Sequence, residues 1–215
     1  MVSQCELKLC CLATGSNHRK LGVPGEDELY GRGVHYCATC DGAFYRDKCL
    51  IIVGGGNSAV QEAIFLTRYA SHIDLLVRSK LRASDVLQKE LQKYVDEGKI
   101  TVHLGATTDK IIVKDDKFYG VKSTQNGEQK ELTADGLFVF IGLIPNTQFL
   151  ADSDVELDLG GHIVTDEHLC TNVPGVFASG DVRSGATMQI ASAVGEDAVA
   201  ALQIREYLQE KAREE

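Results

Sequence analysis

Leu50-Ile51-Ile52-Val53-Gly54-Gly55-Gly56-Asn57-Ser58-Ala59 reads, in order, as a strand, a turn and the start of a helix. Four consecutive apolar residues suit a parallel strand covered on both faces. Gly54-x-Gly56-x-x-Ala59 then matches the dinucleotide fingerprint with alanine in third place. The glycines allow a tight turn and close backbone approach to a pyrophosphate, and the helix that follows aims its N-terminus at the anion. Val60, Ala63, Ile64 and Thr67 make that helix amphipathic up to about Tyr69. Strand before and helix after are the context the motif requires. Without a ligand the same residues would form only a glycine-rich turn.

Working outward, Ile73–Val77 is a second strand, and Ser84 is placed to cap a second helix whose Leu87, Leu91, Tyr94 and Val95 share a face and which Gly98 ends. Ile100–Leu104 follows as a strand. Lys110–Val113 and Phe118–Thr124 flank Asp115-Asp116, and Asn126-Gly127 is a hairpin signal before Lys130–Leu132. Leu137–Ile141 is again wholly apolar and stops at Gly142. The fold class expected is therefore α/β, a three-layer, doubly wound dinucleotide-binding domain with an antiparallel hairpin insert. On the N-terminal side, Cys10–Ser16 suggests a buried strand entering a glycine turn. Beyond Pro145 come short strands at Ile163–Thr165 and Val176–Ala178, then a long helix from Met188 to Glu210 with Val194, Ala198, Leu202 and Ile204 on its apolar side. Each flank alone is too short for a domain. They read as two parts of one second domain, 1–36 with 142–215, around an inserted domain spanning 37–141.

Composition narrows the function classes. The 215 residues carry a formal net charge of −9, with 44% hydrophobic and 25% charged residues, which is ordinary for a globular chain and excludes general disorder. An acidic chain with pI near 5.2 lacks the basic footprint of a nucleic-acid binder. No apolar run reaches the ~20 residues of a membrane span, so neither nucleic acid nor membrane is expected as a partner, and the expected location is cytoplasmic. Seven cysteines are too few in such a length for a secreted disulfide scaffold, and their odd number leaves at least one thiol unpaired.

Three features carry chemistry. First, the end of the second strand has no acidic residue to hold the ribose hydroxyls of NAD. Arg78 stands there instead, 22 positions after Gly56, with Lys80 and Arg82 behind it. Clustered cations suit the 2′-phosphate of NADP(H), although a solvated basic loop would look the same. Second, Cys37-Ala38-Thr39-Cys40-Asp41 is a CxxC near a βαβ pattern, the spacing of a redox dithiol. A zinc knuckle would need two further ligands; Cys10 and Cys11 are adjacent in a strand and point apart, and His35 is a single candidate. Inert thiols are the third alternative, and no metal is expected. Asp41 could exchange a proton with a departing thiolate, or simply serve a turn. Third, Val176-Phe177-Ala178-Ser179-Gly180-Asp181 presents a carboxylate at the C-terminal end of a strand, where open α/β sheets take ligands.

Together, and in order along nearly the whole chain, these motifs resemble the low-molecular-weight, bacterial-type thioredoxin reductases. Ala13-Thr14-Gly15 and Arg19-Lys20-Leu21-Gly22-Val23-Pro24-Gly25-Glu26 are similar to the family's first connecting segment. Gly31-Arg32-Gly33-Val34 leads into its active-site block, Cys37 to Gly42. Ile141-Gly142, Pro145-Asn146-Thr147 and Gly180-Asp181 match its late signatures. The resemblance implies a partial FAD-binding domain in 1–36 and 142–215 around an NADPH-binding domain in 37–141. It assigns Cys37, Cys40 and Asp41 to catalysis. Gly54, Gly56, Asn57, Ser58, Ala59, Arg78, Lys80 and Arg82 fall to NADP(H), with Thr14, Gly15, Ile141, Gly142, Gly180, Asp181, Gln189 and Ile190 completing the cofactor contacts. Three departures stand out. No FAD glycine-rich turn precedes Cys10, so this chain is expected to be a truncated or mis-started product or an isolated portion of a larger enzyme, and to bind FAD weakly or not at all. The family's His-Arg-Arg reads Val77-Arg78-Ser79 with a shorter loop to Arg82. Its Arg-Gln near the flavin reads Met188-Gln189.

For the complete enzyme, the resemblance implies transfer of electrons from NADPH through FAD to the Cys37–Cys40 disulfide and on to thioredoxin. Cys40 would face the flavin and Cys37 would attack the acceptor. The dithiol domain would rotate on hinges near Tyr36 and Gly142, and relatives are usually homodimers. The rival readings are a flavoprotein reductase of a peroxiredoxin system, a thioredoxin reductase-like protein independent of NADPH, and a flavin-free nucleotide-binding fragment. Cys5, Cys10, Cys11, Cys49 and Cys170 are expected not to pair with the CxxC, with Cys10 and Cys49 acting as small hydrophobes in or beside strands.

Overall fold

The computed structural model describes residues 9–214, and it divides into two compact units, His18–Gly142 and Met1–Asn17 with Leu143–Glu215. Cys5 lies outside the described residues.

The unit His18–Gly142 is built on a five-stranded parallel sheet in the order β3-β10-β4-β5-β6, comprising β3 (Val34–His35), β4 (Cys49–Val53), β5 (His72–Val77), β6 (Ile100–Leu104) and β10 (Gly136–Val139). The apolar run behaves as its composition demands. Leu50 and Ile52 point to one face, among Val60, Ala63 and Leu66 of α2 (Asn57–Leu66) and Leu91 of α3 (Asp85–Asp96). Ile51 and Val53 point to the other, among Ile111 and Val121. Those two belong to a three-stranded antiparallel sheet of β7 (Ala106–Lys114), β8 (Lys117–Gln125) and β9 (Glu128–Thr133). The result is three layers: helices, parallel sheet, antiparallel hairpins. Burying each such aliphatic side chain is worth roughly 1.5–3 kcal/mol. Both hairpin turns use left-handed central residues, Asp115-Asp116 and Asn126-Gly127, as the right-handed twist of the flanking strands requires. Ser84 caps α3, accepting from the Leu87 N–H.

The structure moves the expected division at 36/37 to 17/18. Residues 18–36 belong with the central unit because their apolar side chains, Leu29, Val34 and Tyr36, are buried with Ile51, Val139 and Ile111. The Ile111 N–H also bonds to the Pro24 carbonyl, and buried Glu26 ties the segment by accepting from the N–H groups of Leu21 and Gly22 and from the Tyr36 hydroxyl.

The second unit is smaller in its core. β1 (Cys10–Leu12) runs parallel to β12 (Val176–Ala178), β2 (Ser16–His18) pairs with β11 (Leu143–Pro145), and α4 runs from Ile190 to Glu214. Three expectations fail here. β1 is only partly covered, with Cys11 exposed. Ile163–Thr165 is no strand: Ile163 makes single bridges to Leu157 and Arg183. Val194 and Leu202 are 64% and 51% exposed, and Ala200 is the residue of α4 that is fully buried.

Candidate functional site

The dithiol sits between β3 and β4 of the central unit, on the one-turn helix α1 (Ala38–Asp41). Cys37 is its N-cap: the Cys40 N–H bonds to Cys37 Sγ at 3.1 Å, and the Asp41 N–H to the Cys37 carbonyl at 3.2 Å. This turn brings Cys37 and Cys40 into a disulfide with a Cα–Cα distance of 5.3 Å. With the sulfurs bonded to each other, neither is a thiolate ligand for zinc. Cys40 is exposed and Cys37 half-buried. A 3₁₀ turn (Gly42–Tyr45) follows directly and leaves Phe44 77% exposed.

Asp41 is half-buried, and its carboxylate lies 3.1 Å from Nδ1 of His35, which is only 6% exposed at the end of β3. Nε2 of the same ring is 2.6 Å from the Tyr45 hydroxyl, and the ring stacks on Phe138 of β10. Burial pushes the His35 pKa down, opposed by the charge and hydrogen bonding of Asp41. Burial, reinforced by Asp41 and Asp135, pushes Tyr45 up to about 12.

Outside this pair, Cys10, Cys11, Cys49 and Cys170 are free thiols. Cys49 is not the buried hydrophobe expected: it is exposed at the first position of β4, with its N–H held by the Asp135 carboxylate. Burial raises the pKa of the Cys11 and Cys170 thiols.

The glycine turn follows the C-terminal end of β4, with β5 and β6 to one side of that strand and β10 and β3 to the other, which is the switch point of a doubly wound sheet. Gly54, at φ +149°, has room for no side chain, since a Cβ would meet the Phe140 carbonyl and the Ala59 Cβ. Gly56 faces open space and caps α2 without a side-chain bond, leaving the first-turn N–H groups available to an anion. Around it opens a cleft of about 760 Å³ that gathers Gly54, Gly56, Asn57, Ser58, Ala59, Arg78, Lys80, Arg82, Ile141 and Gly142. The cationic loop is anchored to the turn by the Arg82 N–H, which donates to the Gly55 carbonyl at 2.6 Å. Arg78, Lys80 and Arg82 are exposed and form no ion pair among the described residues. Donors, shape and charge all fit a dinucleotide with an added phosphate. The Asn57 side chain has a structural task as well: Oδ1 accepts from the Ser84 N–H. Sequence reading missed Arg19, which lines the same cleft and whose N–H bonds to the Gly142 carbonyl. Its signal, an Arg-Lys pair 35 residues before the turn, is meaningful only once the chain is folded.

The remaining candidates lie in the other unit. The Thr14 hydroxyl bonds to the Asn146 carbonyl, and the Asn146 N–H to the Gly15 carbonyl. The Ser16 hydroxyl bonds to the Asp181 carbonyl, so Gly15 and Gly180-Asp181 are neighbours. Ala193, in the first turn of α4, lies against Gly180 and donates its N–H to the Gln189 carbonyl, whereas Ile190 is largely exposed. Among the described residues no second strand–glycine turn–helix accompanies them.

The chain is 44% identical over 202 residues to a thioredoxin reductase of Listeria monocytogenes and 39% identical over 202 residues to one of Bacillus subtilis. The aligned region is 93% of this chain but only 62% and 63% of those relatives. The crystal structure of thioredoxin reductase from Streptococcus pyogenes superposes with a TM-score of 0.84 at 39% identity, over 93% of this chain and 65% of that one. A family model described as pyridine nucleotide-disulphide oxidoreductase matches residues 3–196, and the chain belongs to that family.

Proposed function

We propose that this chain carries the dithiol and NADPH-binding functions of a thioredoxin-disulfide reductase that works with FAD in the cytoplasm. The observation that carries the reading is the Cys37–Cys40 disulfide standing in the same unit as a cation-lined glycine-turn cleft. When bound, NADPH supplies a hydride and FAD conveys its two electrons to the disulfide.

The chain's own residues do the rest. Opening the S–S bond takes up two electrons and two protons and leaves two thiols. Cys37, as thiolate, attacks one sulfur of the thioredoxin disulfide, and the other sulfur leaves with a proton. Cys40 then attacks Cys37 in the mixed disulfide, releasing dithiol thioredoxin and restoring the Cys37–Cys40 bond. Asp41, next to Cys40 in the chain, gives and takes the protons in this reading. Exposed Phe44, in the turn that follows the dithiol helix, offers apolar contact to a protein acceptor.

The test is a single turnover that needs no flavin. The chain is reduced, freed of reductant and mixed with oxidised thioredoxin. Thioredoxin thiols should form in step with loss of the Cys37 and Cys40 thiols, and Cys37→Ser should abolish the exchange. Undiminished exchange in Cys37→Ser would reject the proposal.

A further inference from the structure

His35 is buried yet engages a hydrogen-bonding group at each ring nitrogen, and nothing in the dithiol chemistry above uses it. Its place in the fold is specific. Val34 of β3 and Tyr36, just after it, face the hairpin layer, where Tyr36 bonds to Glu26. His35 faces the opposite layer, toward Asp41 of α1, Tyr45 of the 3₁₀ turn and Phe138 of β10. Phe138 brings no charge. Behind Tyr45 stand Asp135, which acts on the Tyr45 hydroxyl, and Lys48, 3.7 Å from Asp135.

The tautomer follows from the partners. An ionised carboxylate only accepts, so the nitrogen facing Asp41 must carry the hydrogen. The far nitrogen then has a lone pair and accepts from Tyr45, which stays a protonated donor because its pKa is pushed up to about 12. The alternative, with hydrogen on Nε2, would set a nitrogen lone pair against the carboxylate at 3.1 Å.

We propose that His35 is a positioning residue: its Nδ1–H clamps the Asp41 carboxylate beside the Cys37–Cys40 pair, and the Tyr45 hydroxyl locks the ring in the tautomer that permits this. The inference deepens the reading of Asp41 as the dithiol's proton-exchanging group and rests on it. A carboxylate on a one-turn helix would otherwise swing into solvent. Held on the same helical turn as Cys40, its negative charge opposes thiolate formation in the reduced chain.

The experiment uses the 215-residue chain, reduced, with the alkylation of Cys37 and Cys40 by iodoacetamide followed by mass spectrometry from pH 5 to 10. Asp41→Asn sets the full effect of the charge. His35→Phe keeps ring stacking on Phe138 but removes the clamp, and should speed alkylation at pH 7 by about threefold, the size of a half-unit shift from a displaced like charge. It should add nothing further in the Asp41→Asn background. His35→Asn, which retains a donor near the Nδ1 position, should restore the profile. Tyr45→Phe, lacking only one oxygen, should shift it in the same direction by less and guards against a His35 variant that fails to fold. Nitrogen-15 spectra of the unmodified chain at pH 7 should show hydrogen on Nδ1 and none on Nε2.

A shift with Asp41→Asn but none with His35→Phe or Tyr45→Phe would overturn the clamp alone. No shift with Asp41→Asn would overturn the role of Asp41 and the clamp with it. An Nε2–H tautomer at pH 7 would also overturn the clamp, and an imidazolium would overturn the tautomer lock by Tyr45.

Discussion

The two units differ in how completely they bury what their sequences offer. In His18–Gly142 the central strand is covered on both faces, with Leu50, Ile51 and Ile52 fully buried and a cluster of apolar side chains on each side. In Met1–Asn17 with Leu143–Glu215 the core cluster holds Leu12, Leu150, Ile163, Ala178 and Val182, and α4 exposes Ile190, Val194, Leu202 and Leu208. The chemistry follows the same divide. The disulfide and the cation-lined cleft both belong to the well-buried unit, where positions are fixed by packing. Rigid scaffolding and candidate site coincide.

Core truncation should break this comparison most sharply if it is wrong. Ile52→Ala should cost about 2–5 kcal/mol in urea unfolding of the central unit. Leu202→Ala, on the exposed side of α4, should cost less than about 0.5 kcal/mol. Equal losses would show that the two units are packed alike.

The cleft gives a smaller effect. Arg78, Lys80 and Arg82 should favour NADPH over NADH by about tenfold, as expected for one or two charge-assisted bonds to a phosphate. Arg78→Ala with Arg82→Ala should reduce that preference to near unity, measured by titration calorimetry at fixed ionic strength. Equal binding of the two nucleotides by the unmodified chain would remove the phosphate-clamp reading.

Acid should separate the units more gently. His35 holds a proton less readily in the folded chain than its ordinary value of 6.5. The unfolded chain therefore takes up more protons below that value, and the central unit should lose stability as pH falls from about 6.5. Glu196 in the other unit is held below its ordinary 4.5 by Arg183, through bonds of 2.5 and 3.2 Å, and by the Gly180 N–H. Its contribution is present above that value and is lost only as pH drops below about 4.5. Thermal melts read in both windows, with His35→Phe flattening the upper one, check the order.

Much of this was legible before folding, for local reasons. Leu50 to Ala59 specifies strand, turn and helix within ten residues, and Asn126-Gly127 and Ser84 each determine their own turn or cap. The CxxC is equally local, as its one-turn helix shows. What escaped depends on neighbours from elsewhere. His35 has partners on three elements, Arg19 enters a cleft whose walls come from distant segments, and residues 18–36 join the central unit through contacts with β7, β8 and β10. In α4 the expected apolar side is real as a pattern, but little packs on it among the described residues. Ile163 shows the converse, a buried residue in a segment too short of partners to form a strand.

The central claim is that one sulfur of the well-buried unit exchanges with a protein disulfide while the chain's other thiols do not. The most direct measurement uses Cys40→Ser, mixed with thioredoxin whose buried active-site cysteine is replaced and whose outer one is activated as a mixed disulfide with thionitrobenzoate. The account predicts a covalent adduct that reductant dissolves, mapped by mass spectrometry to Cys37 and absent in Cys37→Ser. No adduct, or one formed equally through Cys11, Cys49 or Cys170, would contradict it.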